Sequence, residues 1–457
     1  MSPKAPNLPK TAAVVLAAGL GTRMKSAKAK VMHPLAGKTM VSHVMAALRK
    51  VEVERAVAVI GDGMGDVADA LAPAETVIQH ERLGTGHAVL QAKDVLSGFK
   101  GSVLILFGDT PLITPQTLRA MLGARARDDA PAVVVLGFTP DDPGAYGRLI
   151  IDPEDGTLEA IIEAKDADAE TLAVDLCNSG VMVVDSRHLW DWLARIGNDN
   201  AKGEYYLTDI VALARADGFS CAVVEGDADE VLGVNSREDL ALAEAIVQDR
   251  LRADAMEGGA TLLDPSTVYF SADTKLGQDV SIGPSVVFGP GVDIADNVEV
   301  RAFCHLEGVK VASGAVIGPF ARLRPGADIG ADAHIGNFVE IKNAVIEAGA
   351  KANHLSYVGD ARVGAGANIG AGTITCNYDG FLKSKTDIGA GAFIGSNTAL
   401  VAPVTVGAGA IIGAGSVVTK NVSENAIAIG RGEQKETPDA ASSYRARKQA
   451  EKDKQKQ

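Results

Sequence analysis

A six-residue beat in the second half of the chain constrains the fold more than any other feature of the sequence. Leu276, Ile282, Phe288, Ile294, Val300 and Leu306 stand six apart. After a slip of one residue, Val311, Ile317, Leu323, Ile329, Ile335 and Ile341 repeat the spacing, and a third run takes Ile388, Ile394, Leu400, Val406, Ile412 and Val418. Glycine often follows the beat residue, as at Gly283, Gly330, Gly389 and Gly413. Such a period suits neither an α-helix, at about 3.6 residues, nor a plain strand, at about 2. It suits a coil of short parallel strands that turns a corner with each unit and aims one aliphatic side chain inward. Glycine suits the corners because it tolerates unusual φ/ψ without a Cβ clash.

Composition agrees with such a coil. The hydrophobic fraction is 47%, yet aromatic residues make up only 4%, as a narrow interior lined by Val, Ile, Leu and Ala requires. The net charge of −14 argues against a general nucleic-acid binder, so anionic small substrates need locally basic pockets. The first residues, MSPKAPNLPK, hold no apolar signal core, and no apolar run reaches the roughly 18 residues of a membrane span. The expectation is a soluble, cytoplasmic protein with no membrane or nucleic-acid partner. Cys177, Cys221, Cys304 and Cys376 show no C-x-x-C spacing and read as isolated thiols.

Residues 11–235 alternate apolar strands with helical segments. Candidate strands are Ala13–Ala17, Ala56–Ile60, Val103–Phe107, Ala132–Leu136, Val181–Val184 and Ala222–Val224; Thr39–Lys50 and Pro115–Ala124 read as helices. The alternation predicts an α/β, Rossmann-like domain over 1–235, its sheet mostly parallel, with ligands beyond the carboxyl ends of the strands. Ser236 and Asp239 form a capping pattern ahead of an apolar stripe of Leu240, Ala243, Ile246, Val247 and Leu251, which predicts a linker helix over 236–258. Residues 259–457 are the coil, with a polar tail expected to be disordered from about 436.

Two stretches carry chemistry. The first strand runs into Leu16-Ala17-Ala18-Gly19-Leu20-Gly21-Thr22-Arg23-Met24, with Lys25, Lys28 and Lys30 following. A glycine-rich turn after a buried strand offers backbone N–H groups to phosphate oxygens, and the cations neutralise them. It is neither a dinucleotide G-x-G-x-x-G, since position 24 is Met, nor a P-loop, since no G-K-[ST] closes it. In the coil, the beat is lost after Ile341 and read again at Tyr357, Val363 and Ile369, while 379–387 reads as an inserted loop. Polar residues gather there: Arg322 and Arg324, Glu340 and Lys342, His354, Tyr357, Asn368, Asn377 and Tyr378. Among them His354 is the type of side chain most often used to take up a proton in catalysis.

The segment L-A-A-G-x-G-T-R-M resembles the signature of sugar-1-phosphate nucleotidyltransferases. Gln79 with Leu83-Gly84-Thr85-Gly86-His87, Phe107-Gly108-Asp109, Tyr146-Gly147-Arg148, Glu163, Asn178-Ser179-Gly180 and Gly233-Val234-Asn235 follow in that family's order. With the coil attached, residues 13–431 closely resemble the bacterial bifunctional GlmU family, which joins an N-acetylglucosamine-1-phosphate uridylyltransferase to a glucosamine-1-phosphate N-acetyltransferase. The resemblance implies a left-handed parallel β-helix and a homotrimer. It implies UTP, acetyl-CoA, glucosamine-1-phosphate and N-acetylglucosamine-1-phosphate as substrates, with Mg²⁺ as cofactor.

Residue by residue, the resemblance implies that Leu16, Ala17, Ala18 and Gly19 hold the nucleotide beside Phe107 and Gly108. Gln79, Gly84 and Thr85 would select uracil, Arg23 and Lys30 would neutralise phosphates in catalysis, and Asp109 and Asn235 would hold the metal. Gly147, Glu163 and Asn178 would bind the N-acetylglucosamine moiety. In the second half, His354 would be the base with Glu340 assisting proton transfer. Arg324, Lys342, Tyr357, Asn368, Asn377 and Tyr378 would bind the amino-sugar phosphate, and Ala371, Ser396, Ala414 and Arg431 would contact acetyl-CoA. The sequence departs from the family pattern in three places. Ala29 stands where a Pro is usual before the lysine, which makes Lys28 a rival to Lys30; Phe107 replaces a frequent Tyr, and Ser356 a common Thr. His33 and His87 read as structural. Two alternatives stay open: a monofunctional sugar-1-phosphate nucleotidyltransferase with a trimerising, non-catalytic β-helix, and a non-catalytic scaffold whose coil is a stalk.

Overall fold

The computed structural model describes residues 9–127 and 129–455. Residues 1–8, which carry most of the expectation about a signal segment, lie outside them. The chain divides into two compact units: residues 1–254 with Phe270–Asp273, and Ala255–Tyr269 with residues 274–457.

The first unit is a nine-stranded sheet flanked by helices. Its strands are β1 (Thr11–Leu16), β2 (Arg55–Ile60), β3 (Glu75–Ile78), β4 (Ser102–Phe107), β5 (Val133–Phe138), β6 (Arg148–Ile151), β7 (Leu158–Ile162), β8 (Cys177–Asp185) and β9 (Cys221–Glu225). The order is β9-β5-β8-β4-β1-β2-β3, with the β6–β7 hairpin attached to β8. β1 pairs in parallel with β2 and β4, β3 with β2, and β9 with β5. β8 runs antiparallel to both β4 and β5, so the sheet is mixed rather than mostly parallel. The central strands are buried on both faces, one face packing Val15, Ala58 and Leu104 and the other Val14, Val59 and Ile105, as the two-residue period dictates.

Helix Arg237–Glu257 opens on a reciprocal cap: Asp239 Oδ2 accepts from Asn235 N and Ser236 N, and Ser236 Oγ accepts from Asp239 N. Ala243 and Val247 pack with Leu35, Met40, Leu112 and Val234, and Leu240, Ile246 and Leu251 border that cluster.

The second unit is a coil of short parallel strands forming sheets of ten, eight and eight strands, entered in rotation. A typical strand is two residues, such as Asp293–Ile294, the first exposed and the second buried. One inward column runs Ile317, Ile335, Ala352, Ile369, Ile394 and Ile412 through parallel pairs. A Cβ on Gly389 would lie 2.3 Å from Ala408 N of the next coil, which is why glycine follows the beat there.

The beat does not lapse after Ile341. It continues through Ile346, Ala352 and Val358, each 1% exposed, to Thr375, also 1% exposed. A five-residue step at Ile341–Ile346 shifts the phase, and Ala and Thr as inward residues disguise it. Val358 therefore takes the inward place expected of Tyr357, whose ring faces outward and is half-buried. The inserted stretch after Asn377 returns through a Tyr378–Lys383 bridge to a strand at Thr386–Ile388. The polar tail, expected without order, is helical over Ala440–Lys454 and exposed throughout, its Ala, Arg, Lys, Gln and Glu being strong helix formers.

Candidate functional sites

In the first unit, the parallel register sets Leu16 beside Phe107 at the carboxyl edge of the sheet, so the turns after β1 and β4 open side by side. Gly108 N donates to Leu16 O at 2.9 Å, and Val234 N donates to Asp109 O at 2.9 Å. The second bond brings Asn235 to Asp109 from 126 residues away. Lys30 opens the short turn Lys30–Met32 and is buried; its Nζ pairs with Asp109 Oδ2 and donates to Asn235 Oδ1 at 3.0 Å. Lys28 is exposed, as is Arg23, which lies outside the cavity lining. Ala29 sits at φ −54°, close to the angle a Pro imposes, so its backbone places Lys30 without the ring.

A cavity of about 240 Å³ opens here, lined by Leu16, Ala17, Ala18, Gly19, Lys30, Gln79, Gly84, Thr85, Phe107 and Asp109 among others. Gln79 is buried, and its Nε2 contacts Gly84 O and His87 Nδ1, both at 3.2 Å, which leaves Oε1 as an acceptor. Gly84 is required: its φ is +115°, and a Cβ would lie 2.6 Å from Tyr205 O. Sequence reasoning passed over Arg82, which lines this cavity together with Glu204; Arg82 Nε donates to Ala18 O at 2.9 Å.

A second cavity of about 190 Å³ adjoins the first, sharing Thr85 and Phe107. Gly147, Glu163 and Asn178 line it with Tyr146, Ser179 and Thr208. The β8 register shifts between Asn178 and Met182, a bulge that re-aims Asn178 and Ser179. Burial pushes the Glu163 carboxyl above its ordinary range; Lys202 opposes this and Asp166 and Asp209 add to it. His33 is buried and, chiefly for that reason and then because Arg237 adjoins it, its imidazole is held below the usual value. Asp109 and Asn235 present two oxygens to one point, a donor set that suits Mg²⁺ completed by phosphates and water. Among the described residues no cluster of three or more His, Cys, Asp or Glu could hold a metal.

In the second unit, one outward column holds Asn337 and His354 as parallel partners, and the same place on the next coils falls to Ala371, Ser396 and Ala414. Asn337 Oδ1 lies 2.6 Å from Nδ1 of the exposed His354. An amide oxygen can only accept, so Nδ1 donates, and in the neutral ring the lone pair then lies on Nε2. Arg431 Nη1 reaches Ala414 O at 2.5 Å.

On the adjoining sheet, Arg324 pairs with Glu340 at 2.8 Å and Lys342 with Asp360 at 3.1 Å, and Glu340 is the strand partner of Tyr357. Asp360 was not read from the sequence. It is 6% exposed and also accepts from Asn343 Nδ2 at 2.6 Å and from Asn377 Nδ2. Burial works to raise its carboxyl, but Asn343, Asn377 and Lys342 outweigh this and hold it below the ordinary range. Asn368 stands instead on the sheet of Ile369, and Tyr378 is exposed, its hydroxyl bonded to Gly380 O. Beside the His354 column runs a ridge of Phe303, Phe320, Phe338 and Leu355, all exposed and all at φ between +49° and +62°. Phe303, Phe320 and Phe338 stack at 4.8 and 5.1 Å.

Residues 13–177 match the family described as the MobA-like NTP transferase domain. Residues 273–308, 308–343 and 385–420 match the bacterial transferase hexapeptide of six repeats, and the coil is a left-handed parallel β-helix. The chain is 66% identical to the "Bifunctional protein GlmU" of Rhodospirillum rubrum over 96% of its length and 98% of that protein. It is 62% identical to the protein so named in Paramagnetospirillum magneticum (97% and 98% covered) and 56% to that of Xanthobacter autotrophicus (95% and 97%). No helix among the described residues is long and apolar enough to cross a membrane.

Proposed function

The chain belongs to the bifunctional GlmU family, and from that premise we propose how its two units divide two transfer reactions. The enzyme is both a nucleotidyltransferase and an N-acetyltransferase. The second unit acetylates glucosamine-1-phosphate with acetyl-CoA, and the first transfers UMP from UTP to the N-acetylglucosamine-1-phosphate so formed, giving UDP-N-acetylglucosamine and pyrophosphate. Both steps run in the cytoplasm.

For acetyl transfer, the observation that carries the reading is the column of Asn337, His354, Ala371, Ser396 and Ala414. Coils stacked at about 4.8 Å would let an extended pantetheine arm run past Ala414, Ser396 and Ala371 and present its thioester at His354. His354 Nε2 takes a proton from the amine, the nitrogen lone pair attacks the thioester carbonyl, and the thiolate of CoA leaves. Arg324 and Lys342 hold the sugar phosphate, with Tyr357, Asn368, Asn377 and Tyr378 around the amino sugar, and Glu340 assists proton movement. The exposed Phe303–Phe320–Phe338–Leu355 ridge beside this column supports a homotrimer in which a neighbouring coil closes the site.

For nucleotidyl transfer, Gln79, Gly84 and Thr85 read uracil, and Gly147, Glu163 and Asn178 hold the N-acetylated sugar. The shared wall of Thr85 and Phe107 supports an in-line path from the sugar phosphate to the α-phosphorus. The attacking atom is a phosphate oxygen of the sugar, the leaving group is pyrophosphate, and no protein nucleophile takes part. Lys30 and Arg23 offset the phosphate charge. Asp109 and Asn235 would hold Mg²⁺, which supplies charge neutralisation at the phosphates when bound. His354→Ala in the full chain should abolish acetylation and spare uridylylation, and Asp109→Ala should do the reverse. Loss of both activities in His354→Ala would sink the division of labour.

A further inference from the structure

Lys30 occupies the point on which the oxygens of Asp109 and Asn235 converge. Its Nζ pairs with Asp109 Oδ2 and donates to Asn235 Oδ1 at 3.0 Å. The Lys30 side chain is 11% exposed and that of Asp109 21%, so the pair is largely withdrawn from water. No other ion pair to Asp109 is present among the described residues.

We propose that Lys30 is a stand-in for the metal. Its ammonium holds the two metal-binding oxygens together and moves to the phosphates when a divalent cation arrives with the nucleotide. This rests on the reading of Asp109 and Asn235 as the metal's protein donors.

The argument is one of charge and space. An ammonium and a divalent cation bound to the same two oxygens would lie within a few ångströms of each other, where repulsion is poorly screened. The metal can enter only if Lys30 leaves. Metal alone therefore strands a mostly buried ammonium without a partner, a costly state. A triphosphate removes that cost, because its oxygens give Lys30 a new partner. The move is short: Lys30, Asp109 and the Gly19 turn line one cavity. The four-carbon stem can swing while the backbone of the Lys30–Met32 turn stays put. Metal and nucleotide then bind cooperatively, and each must strengthen the other by the same factor.

The test uses Mn²⁺ as probe on the full chain without nucleotide, followed by the electron paramagnetic resonance of the free ion. Lys30→Met should bind Mn²⁺ about 10- to 100-fold more tightly than the parent, the span usual for coupling between two sites. The gain should vanish in Lys30→Met/Asp109→Ala. Binding in Lys30→Met that equals or falls below the parent's overturns the stand-in. A second measurement needs no variant: amine acetylation at Lys30, mapped by mass spectrometry, should rise when Mn²⁺ saturates the nucleotide-free parent, and unchanged labelling overturns the proposal. Calorimetry of UTP binding separates the two readings. If Mg²⁺ strengthens UTP binding in the parent and not in Asp109→Ala, the metal reading stands even where the stand-in fails; if Asp109→Ala leaves the Mg²⁺ effect intact, both fall.

Discussion

Asn337 Oδ1 lies 2.6 Å from Nδ1 of His354, one coil apart on the same column. This contact favours the neutral tautomer with the lone pair on Nε2, where the proposed base must accept its proton, and holds the ring in one plane. Replacing Asn337 by Ala frees the ring to adopt either tautomer. The expected result is at least about a tenfold fall in kcat for acetylation, a fraction of the roughly 10²–10⁴ that a general base supplies. Uridylylation, assayed on the same preparation, should not change. Unaltered acetylation would mean that the contact positions nothing.

Asp360 holds Lys342, Asn343 and Asn377 on one carboxylate at a left-handed corner, φ +48°. Asp360→Ala strands the Lys342 ammonium and frees the Asn377 amide. Acetylation should show a raised KM for glucosamine-1-phosphate while the KM for acetyl-CoA stays put. Removing one partner of a largely buried pair should also cost about 3 kcal/mol in the stability of the coil, read by denaturant titration. The sign with pH follows from the lowered carboxyl. The stabilisation is complete above the ordinary Asp value of about 3.9 and is lost as pH falls through the lower folded value, so parent and variant should converge only in strong acid.

Asp360 also marks how far the sequence alone could go. The coil was legible because each of its strands repeats one local rule, an aliphatic residue inward every six. The rule blurred at Ile346, Ala352 and Val358 because a five-residue corner slips the register, and a slip of one turns every side chain over. Asp360 left no trace because its donors come from 17 or 18 residues away, and only coil stacking makes them neighbours. In the first unit the buried strands were legible as apolar runs. The antiparallel place of β8 was not, since a strand buried on both faces reads alike in either direction. The β6–β7 hairpin escaped because it is only partly buried. The pairing of Asp109 with Asn235 was implied by resemblance, and the bond from Val234 N to Asp109 O gives it a physical cause.

The ridge of Phe303, Phe320, Phe338 and Leu355 offers a test of assembly. Phe320 is 44% exposed and stacks on both neighbours, yet it is not part of the coil's interior. Phe320→Asp should leave the coil folded, as judged by circular dichroism, because Ile317 and Leu323 still fill the inside. A carboxylate buried at a subunit interface is costly, so if the ridge seats a neighbouring coil, as proposed, light scattering should show a trimer giving way to monomer. Acetylation should fall with the trimer and uridylylation should persist. A variant that remains a fully active trimer would remove the ridge from the interface.

Glu163 gives the first unit a pH signature of opposite sign to that of Asp360. Burial in the second cavity raises its carboxyl, Lys202 offsets part of this, and Asp166 and Asp209 add to it. The folded protein thus binds this proton more tightly than the unfolded chain. The stability so gained is complete below the ordinary Glu value of about 4.3 and is lost as pH rises through the raised folded value. Glu163→Gln cannot ionise and escapes that loss. Scanning calorimetry of the full chain should therefore show the variant's Tm for the first unit gaining on the parent's as pH rises from about 4 towards about 8. The amide also replaces an acceptor in the cavity with a group that donates on one side, so KM for N-acetylglucosamine-1-phosphate should rise while KM for UTP holds. A Tm difference that is flat with pH would show that the carboxylate pays no desolvation cost in the folded state.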